Sequence, residues 1–385
     1  MAEGLEVADG PNVADGPNVA DGLNVADGLF DGTIALPRAV VLRDALEHNI
    51  ATMAAYCRAQ GVRLAPHAKT TMCPAIVARQ LQAGAWAVTV ADPRQALVLD
   101  APRILIANQV VDPGSLRQLH VLRDREVYCY ADSTASLEAL ESVAFPGLRV
   151  LVEIGVPAGR TGLRDDTAAL ELARRVEAGP LALGGIAAFE GILDPGPRLD
   201  ALLERLAGLA GRIDGIVTLG GSVHFDRAVQ ALPDLAPRLV LRSGCYVTHD
   251  GGYYDRLSPF GSHATGPYRL REALEVWGTV LSRPEPELAV VGIGRRDVSH
   301  DAGLPSVRHL RRHGNTTATP DPGDLEVTAL NDQHLILRLP ADHPLAVGDA
   351  VGLSVSHPCT TFDKWRSVLI VDEGYSVVED APTLF

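Results

Sequence analysis

The sequence predicts an α/β chain: a (β/α)8 TIM barrel followed by a second, C-terminal antiparallel β domain. Three observations predict it. From Leu36 to about residue 265, apolar runs of four to seven residues alternate with helix-period segments, the pattern of parallel strands joined by right-handed crossovers. After a first run, AVVLRD, eight such strands follow, the number that closes a barrel. Beyond residue 265 the apolar residues recur with period two, broken by Gly, Pro and Asp, as in an antiparallel sheet with little helix over it.

Taken in order, residues 1–31 are a tandem array of VADGPN and VADGLN copies with a six-residue period and no cationic residue. Such a composition buries too little apolar surface to offset the entropy of ordering it, so an acidic disordered tail is expected. A calcium-binding repeat roll is the rival, but the copies are few and the spacing is not its nonapeptide pattern. Residues 36–265 form the expected barrel, with strands at RLAPHAK, AWAVTVA, RILIANQV, EVYCYAD, LRVLVEIG, LALGGIAAFEG, GIVTLGGS and RLVLRSGCYV. Residues 266–385 form the expected β domain, in which Arg311 to Asp324 reads as an exposed loop and Asn331, Asp332 and His334 as a strand-end turn.

The net charge of -14 argues against nucleic acid and against an anionic membrane as partners, because the long-range field repels both. Five scattered cysteines make a poor disulfide framework and point to a reducing, cytoplasmic setting. No stretch reaches the roughly 18 apolar residues of a membrane span, and no secretory signal opens the chain.

Chemistry concentrates at four places. The chain has two lysines, and one, Lys69 in RLAPHAKTT, ends the first barrel strand with His67 on the same face if the strand continues that far. Barrel active sites lie at strand C-termini, and a desolvated amine there is a nucleophile able to form a Schiff base; the plain alternative is a lysine reaching solvent. LGGS (Leu219 to Ser222) and RSGCY (Arg242 to Tyr246) leave the last two strands, where barrels hold phosphate on free backbone N–H groups. An amine for an aldehyde beside a cradle for phosphate points to pyridoxal phosphate. Arg160, in the loop VEIGVPAGRTGL, could face a pyridine nitrogen or simply pair with Glu153. His357 and Cys359 in SHPC are a pair suited to zinc, too few for a structural site but sufficient for one with open positions; a buried cysteine beside a loop histidine is the alternative.

PHAKT, GRTG, SGCYVTHD and SHPC, in this order, resemble the D-serine dehydratase and D-threonine aldolase-like family, which shares its pyridoxal phosphate barrel with alanine racemases. The resemblance runs from about residue 36 to the C-terminus and is nearest to amino-acid deaminases. It implies that Lys69 carries the cofactor and Arg160 faces the ring nitrogen. It implies further that Gly220, Gly221, Ser222, Gly244 and Cys245, with Tyr246 nearby, hold the phosphate, and that His357 and Cys359 ligate zinc. The family's aldolases have aspartate where Cys359 stands and its dehydratases have cysteine. The chain departs from the family at Thr71-Met72, where His-Lys is common, and at Phe189, where tyrosine is frequent.

The expected reaction is therefore loss of the β-hydroxyl from a D-amino acid, giving a keto acid and ammonia, with Lys69 as base and zinc assisting the leaving group. Retro-aldol cleavage is the nearest alternative, and a non-catalytic cofactor-binding protein a more distant one. The resemblance also implies a homodimer in which each second domain closes the other chain's barrel; Asn331, Asp332 and His334 could then face the site, with a strand-end turn as the simpler account.

Overall fold

A computed structural model describes residues 28–314 and 323–385. The tail expectation for residues 1–27 and the middle of the 311–324 loop lie outside the described residues. The end of the tail does not: Leu29 is buried, its N–H donates to Tyr375 O at 2.9 Å, and Phe30 packs edge-on against Trp277 at 4.8 Å. The expected tail boundary at 31 is thus too late, because Leu29 and Phe30 are apolar enough to cap an aromatic cluster.

The strands in chain order are β1 (Arg38–Leu42), β2 (Arg63–Leu64), β3 (Val88–Val90), β4 (Arg103–Gln109), β5 (Glu126–Ala131), β6 (Leu148–Ile154), β7 (Ala182–Ala188), β8 (Ile216–Leu219) and β9 (Leu239–Leu241). Then follow β10 (Leu274–Glu285), β11 (Leu288–Val291), β12 (Ser306–Arg311), β13 (Glu326–Leu330), β14 (Leu335–Arg338), β15 (Ala350–Ser354), β16 (Ser367–Val371) and β17 (Val377–Pro382). Strands β2 to β9 are the eight barrel strands, all pairing in parallel in the order β2-β9-β8-β7-β6-β5-β4-β3. The sheet curls until β3 returns to β2, where Trp86 N–H donates to Leu64 O at 2.7 Å and Thr89 N–H to Pro66 O at 2.9 Å. Alternation sorts the side chains: Leu105, Tyr128, Leu151, Ala187 and Val240 fill the barrel interior, while Ile104, Ile106 and Cys129 face the surrounding helices.

The second sheet runs β13-β14-β11-β10-β1-β16-β17, with β15 pairing β10 and β12. Strand β1 belongs here, antiparallel to β10 and parallel to β16, so the barrel begins with the helix Arg43–Gln60 and not at residue 36. A buried apolar run such as AVV fits a central strand of either sheet, and only its partners decide. Strand β12, SVRHLR, carries too many charged residues to show the period-two pattern of the other strands. Its polar residues meet buried acid instead of water: His309 Nδ1 lies 2.8 Å from Glu275 Oε1, and Arg308 reaches Glu272 at 3.2 Å. Asn331 to His334 form the expected turn between β13 and β14, with Asn331 N–H donating to His334 O. Among the described residues no helix is long and apolar enough to cross a membrane.

Candidate active site

At the C-terminal ends of the barrel strands lies a cavity of about 660 Å³, bounded by the strand exits and by the helix Pro358–Phe362 of the β domain. Lys69, Arg160, Gly220, Gly221, Ser222, Gly244, Cys245, His357 and Cys359 all line it. Residues far apart in the chain thus meet because each follows a strand, or caps a helix, that points at the same mouth.

Lys69 does not sit on a strand. Strand β2 ends at Leu64, Pro66 follows without an N–H, and the chain tightens into a 3-10 turn, Ala68–Thr70. Strand alternation was the wrong reason for grouping His67 with Lys69, yet both side chains reach the cavity. The turn packs directly on the exit of β9: a Cβ on Gly244 would fall 2.7 Å from His67 O and 2.6 Å from Thr70 Oγ1, so this approach requires glycine.

The residues expected to hold a phosphate depart from that expectation in two respects. The N–H groups of Gly220 and Gly221 are bonded to the fully buried carboxylate of Glu190, at 3.0 and 2.8 Å. Anion-binding capacity passes to the next main-chain groups, since the N–H groups of Ser222, Val223, Gly244 and Cys245 have no hydrogen-bond partner among the described residues. Tyr246 does not reach the cavity. Its hydroxyl accepts from Gln80 Nε2 at 2.9 Å on the far side of the strand, beside a separate 290 Å³ pocket lined by Cys57 and Trp86. In the 3-10 turn Cys245–Val247 successive side chains point about 120° apart, so Cys245 lines the cavity while Tyr246 packs away from it.

Arg160 stacks on Phe189, with its guanidinium carbon 4.5 Å from the ring centroid. It does not pair with Glu153, whose carboxylate is taken by Gln109 Nε2 at 2.6 Å and Thr161 Oγ1 at 3.1 Å. A second arginine, Arg242, heads the RSGCY segment. It is buried at the end of β9 and donates to Thr218 Oγ1 at 2.6 Å and Ala188 O at 2.8 Å. Arg242 Nε, His67 Nδ1 and Tyr130 Oη are buried without a partner, and all three residues line the cavity. Buried polar atoms are rarely left unpaired, so three on one cavity fit a polar ring-bearing ligand such as pyridoxal phosphate. Arg242 opens the RSGCY segment and Tyr130 lies near the end of β5; their strand-end positions are the signal that could have found them.

His357 caps the helix Pro358–Phe362, and its Nδ1 lies 2.7 Å from Asp301 Oδ2, which leaves Nε2 for a ligand. Burial alone would raise the Asp301 carboxyl, but the bonds to His357 and Thr360 outweigh it and hold the group below its ordinary value. Cys359 Sγ lies 3.6 Å from Thr70 Oγ1 and 3.5 Å from Cys245 Sγ. The Cys245 contact is the largest influence holding the Cys359 thiol below its ordinary value, against burial and with help from Thr70 and the Lys69 ammonium; Cys245 is raised in turn. No group of three or more His, Cys, Asp or Glu side chains is arranged to hold a metal among the described residues. The donor set fits a two-ligand metal with open positions and a carboxylate-oriented histidine, and it does not fit a closed structural site.

Two protein families match the chain: "Alanine racemase, N-terminal domain" over residues 41–227 and "Putative serine dehydratase domain" over residues 273–371. A D-threonine aldolase of Arthrobacter sp is 28% identical over 368 residues, 89% of this chain and 90% of its own length. A D-threo-3-hydroxyaspartate dehydratase of Delftia sp. (strain HT23) is 33% identical over 186 residues, 45% of this chain and 49% of its own length. Among solved structures, D-threonine aldolase from Filomicrobium marinum superposes with a TM-score of 0.78 at 24% identity, covering 92% of this chain and 97% of that one. The two matched domains in tandem, on a barrel and sheet of this topology, place the chain in the D-serine dehydratase and D-threonine aldolase-like family of D-amino-acid lyases, pyridoxal phosphate proteins of the alanine racemase-like fold.

Proposed function

We propose that this chain is a pyridoxal phosphate- and zinc-dependent dehydratase that removes the β-hydroxyl of a D-amino acid such as D-serine, leaving a keto acid and ammonia. The observation that carries the reading is the contact of Cys359 Sγ with Thr70 Oγ1 at 3.6 Å, which brings the helix bearing the metal pair against the turn bearing Lys69. When bound, the cofactor withdraws electrons from the substrate's α-carbon and the metal acts as a Lewis acid toward an oxygen.

The protein's own residues supply the rest. Lys69 lies on the cavity wall, exposed and with no ion-pair partner among the described residues, so its Nζ is sterically placed to carry a proton to and from the α-carbon once substrate has displaced it from the cofactor. The free N–H groups of Ser222 and Val223, on the turn anchored by Glu190, and of Gly244 and Cys245, after β9, would hold the phosphate. Arg160 and Arg242 bring two guanidinium groups to the ring; either would keep a pyridine nitrogen unprotonated and so limit how much negative charge the ring accepts. That limitation gives the metal a purpose, with His357 Nε2 and Cys359 Sγ as its donors.

A second reading has support from the Arthrobacter sp relative: retro-aldol cleavage, with the base acting on the β-hydroxyl proton. The purified protein is incubated with D-serine, D-threonine and D-threo-3-hydroxyaspartate, with and without chelator. Ammonia and a keto acid, lost on chelation, support dehydration. Glycine and an aldehyde without ammonia replace it with the aldolase reading, and turnover insensitive to chelator removes the metal. The proposal includes a homodimer in the cytoplasm, and light scattering on the purified protein checks the dimer.

A further inference from the structure

Cys245 and Cys359 come from different domains. Cys245 opens the 3-10 turn after β9 of the barrel, and Cys359 lies in the first turn of the helix Pro358–Phe362 of the β domain. Their sulfurs are 3.5 Å apart, both residues line the cavity, and Cys359 is partly exposed to it. The remaining cysteines, Cys57, Cys73 and Cys129, are buried among apolar side chains, and burial pushes the Cys57 thiol up to about 12. The chain therefore has one thiol pair within reach of a small oxidant, and it spans the domain boundary at the site where the metal is proposed to bind.

We propose that Cys245 and Cys359 form a redox-sensitive pair, and that their oxidation to a disulfide excludes the metal from the site and locks the β domain onto the barrel mouth. Closing the bond takes the sulfurs from 3.5 Å to about 2.05 Å. With a peroxide as oxidant the chemistry balances in two steps. Cys359 sulfur attacks one peroxide oxygen, breaking the O–O bond, to give a sulfenic acid and water. Cys245 sulfur then displaces the second oxygen as water, so two thiols and one hydrogen peroxide become one disulfide and two waters. A thiolate that has become a disulfide has no anionic lone pair for a metal, so metal occupancy and cross-linking exclude each other. The exclusion rests on the metal reading given above, whereas the cross-link does not.

The test treats the purified, cofactor-loaded protein with hydrogen peroxide, with and without prior chelation. Free thiols are then alkylated, the digest is mapped by mass spectrometry, and zinc is counted per chain. The expected result is a peptide linking Cys245 to Cys359, reversed by dithiothreitol, formed faster after chelation, with zinc lost in proportion to the linked fraction. In Cys245→Ser, and in Cys245→Ala as a second variant, the link is absent and Cys359 proceeds to sulfinic acid. The proposal is overturned if wild-type Cys359 reaches sulfinic acid while Cys245 remains open to alkylation. Full cross-linking with zinc retained overturns the exclusion. A cross-link in protein that never binds zinc refutes the metal reading and leaves the thiol pair standing.

Discussion

Glu190→Gln tests whether the carboxylate beneath the Gly220-Gly221 turn sets the shape of the proposed phosphate cradle. The wild-type side chain is fully buried and accepts two main-chain N–H groups, one on each oxygen, at 3.0 and 2.8 Å. Glutamine keeps one acceptor oxygen and turns an NH2 donor toward the other N–H. A hydrogen bond to a charged acceptor contributes about 1.5–3 kcal/mol and a neutral one about 1 kcal/mol. Losing one such bond and weakening the other therefore costs about 3 kcal/mol. The turn cannot slide inward to recover, since Gly221 already leaves room for no more than a hydrogen: a Cβ there would meet Glu190 Oε1 at 2.5 Å. If the displaced turn has to be restored for Ser222 and Val223 to meet the phosphate, most of that cost falls on cofactor binding, as a loss of about 100-fold at 1.4 kcal/mol per factor of ten. Titration of apo protein with pyridoxal phosphate, followed by absorbance, reads the affinity, and a thermal melt of the apo form reads the remainder. Affinity within about two-fold of wild type together with an unchanged melt would refute the clamp, since a 3 kcal/mol cost must appear in one or the other.

Lys69→Ala is expected to abolish covalent capture of the cofactor: borohydride reduction and peptide mapping label Lys69 in wild type, and a label elsewhere, such as on Lys364, counts against the site. Asp301→Asn removes the carboxylate 2.7 Å from His357 Nδ1 and should weaken metal binding about 10- to 100-fold, measured by competition with a chromophoric chelator. Glu275 is fully buried; burial alone would raise its carboxyl, but His309, Arg308 and Trp277 outweigh that and hold it low. A folded-state value below the unfolded one of about 4.3 gives stability that is present above that pH and lost as pH falls through the lowered value, so Glu275→Gln should flatten the acid limb of a stability–pH curve. Leu29→Ala should cost about 2–5 kcal/mol in denaturant titration, because Leu29 is buried against the second sheet; a cost under about 0.5 kcal/mol would return residues 28–31 to the tail.

The sequence by itself determined the periodicity-driven features. All eight barrel strands fall within the runs that alternation marked, and Lys69, Arg160, Ser222, Gly244, Cys245, His357 and Cys359 were found from glycine-rich or Pro/His motifs at strand exits. These were readable because burial on both faces forces continuous apolar runs, and because a turn after a strand selects its residues locally. Tertiary structure alone decided the features that depend on a partner distant in sequence. Strand β1 joins β10 and β16 because they offer free edges, not because AVV differs from a barrel strand. Charged SVRHLR became β12 because Glu272 and Glu275 wait opposite it. Gly220 and Gly221 give their N–H groups to Glu190, Arg242 enters the cavity and Tyr246 leaves it, since which side of a short turn a side chain takes depends on packing and not on spacing. The contact between Cys245 and Cys359 spans 114 residues and two domains, and no local pattern could have announced it.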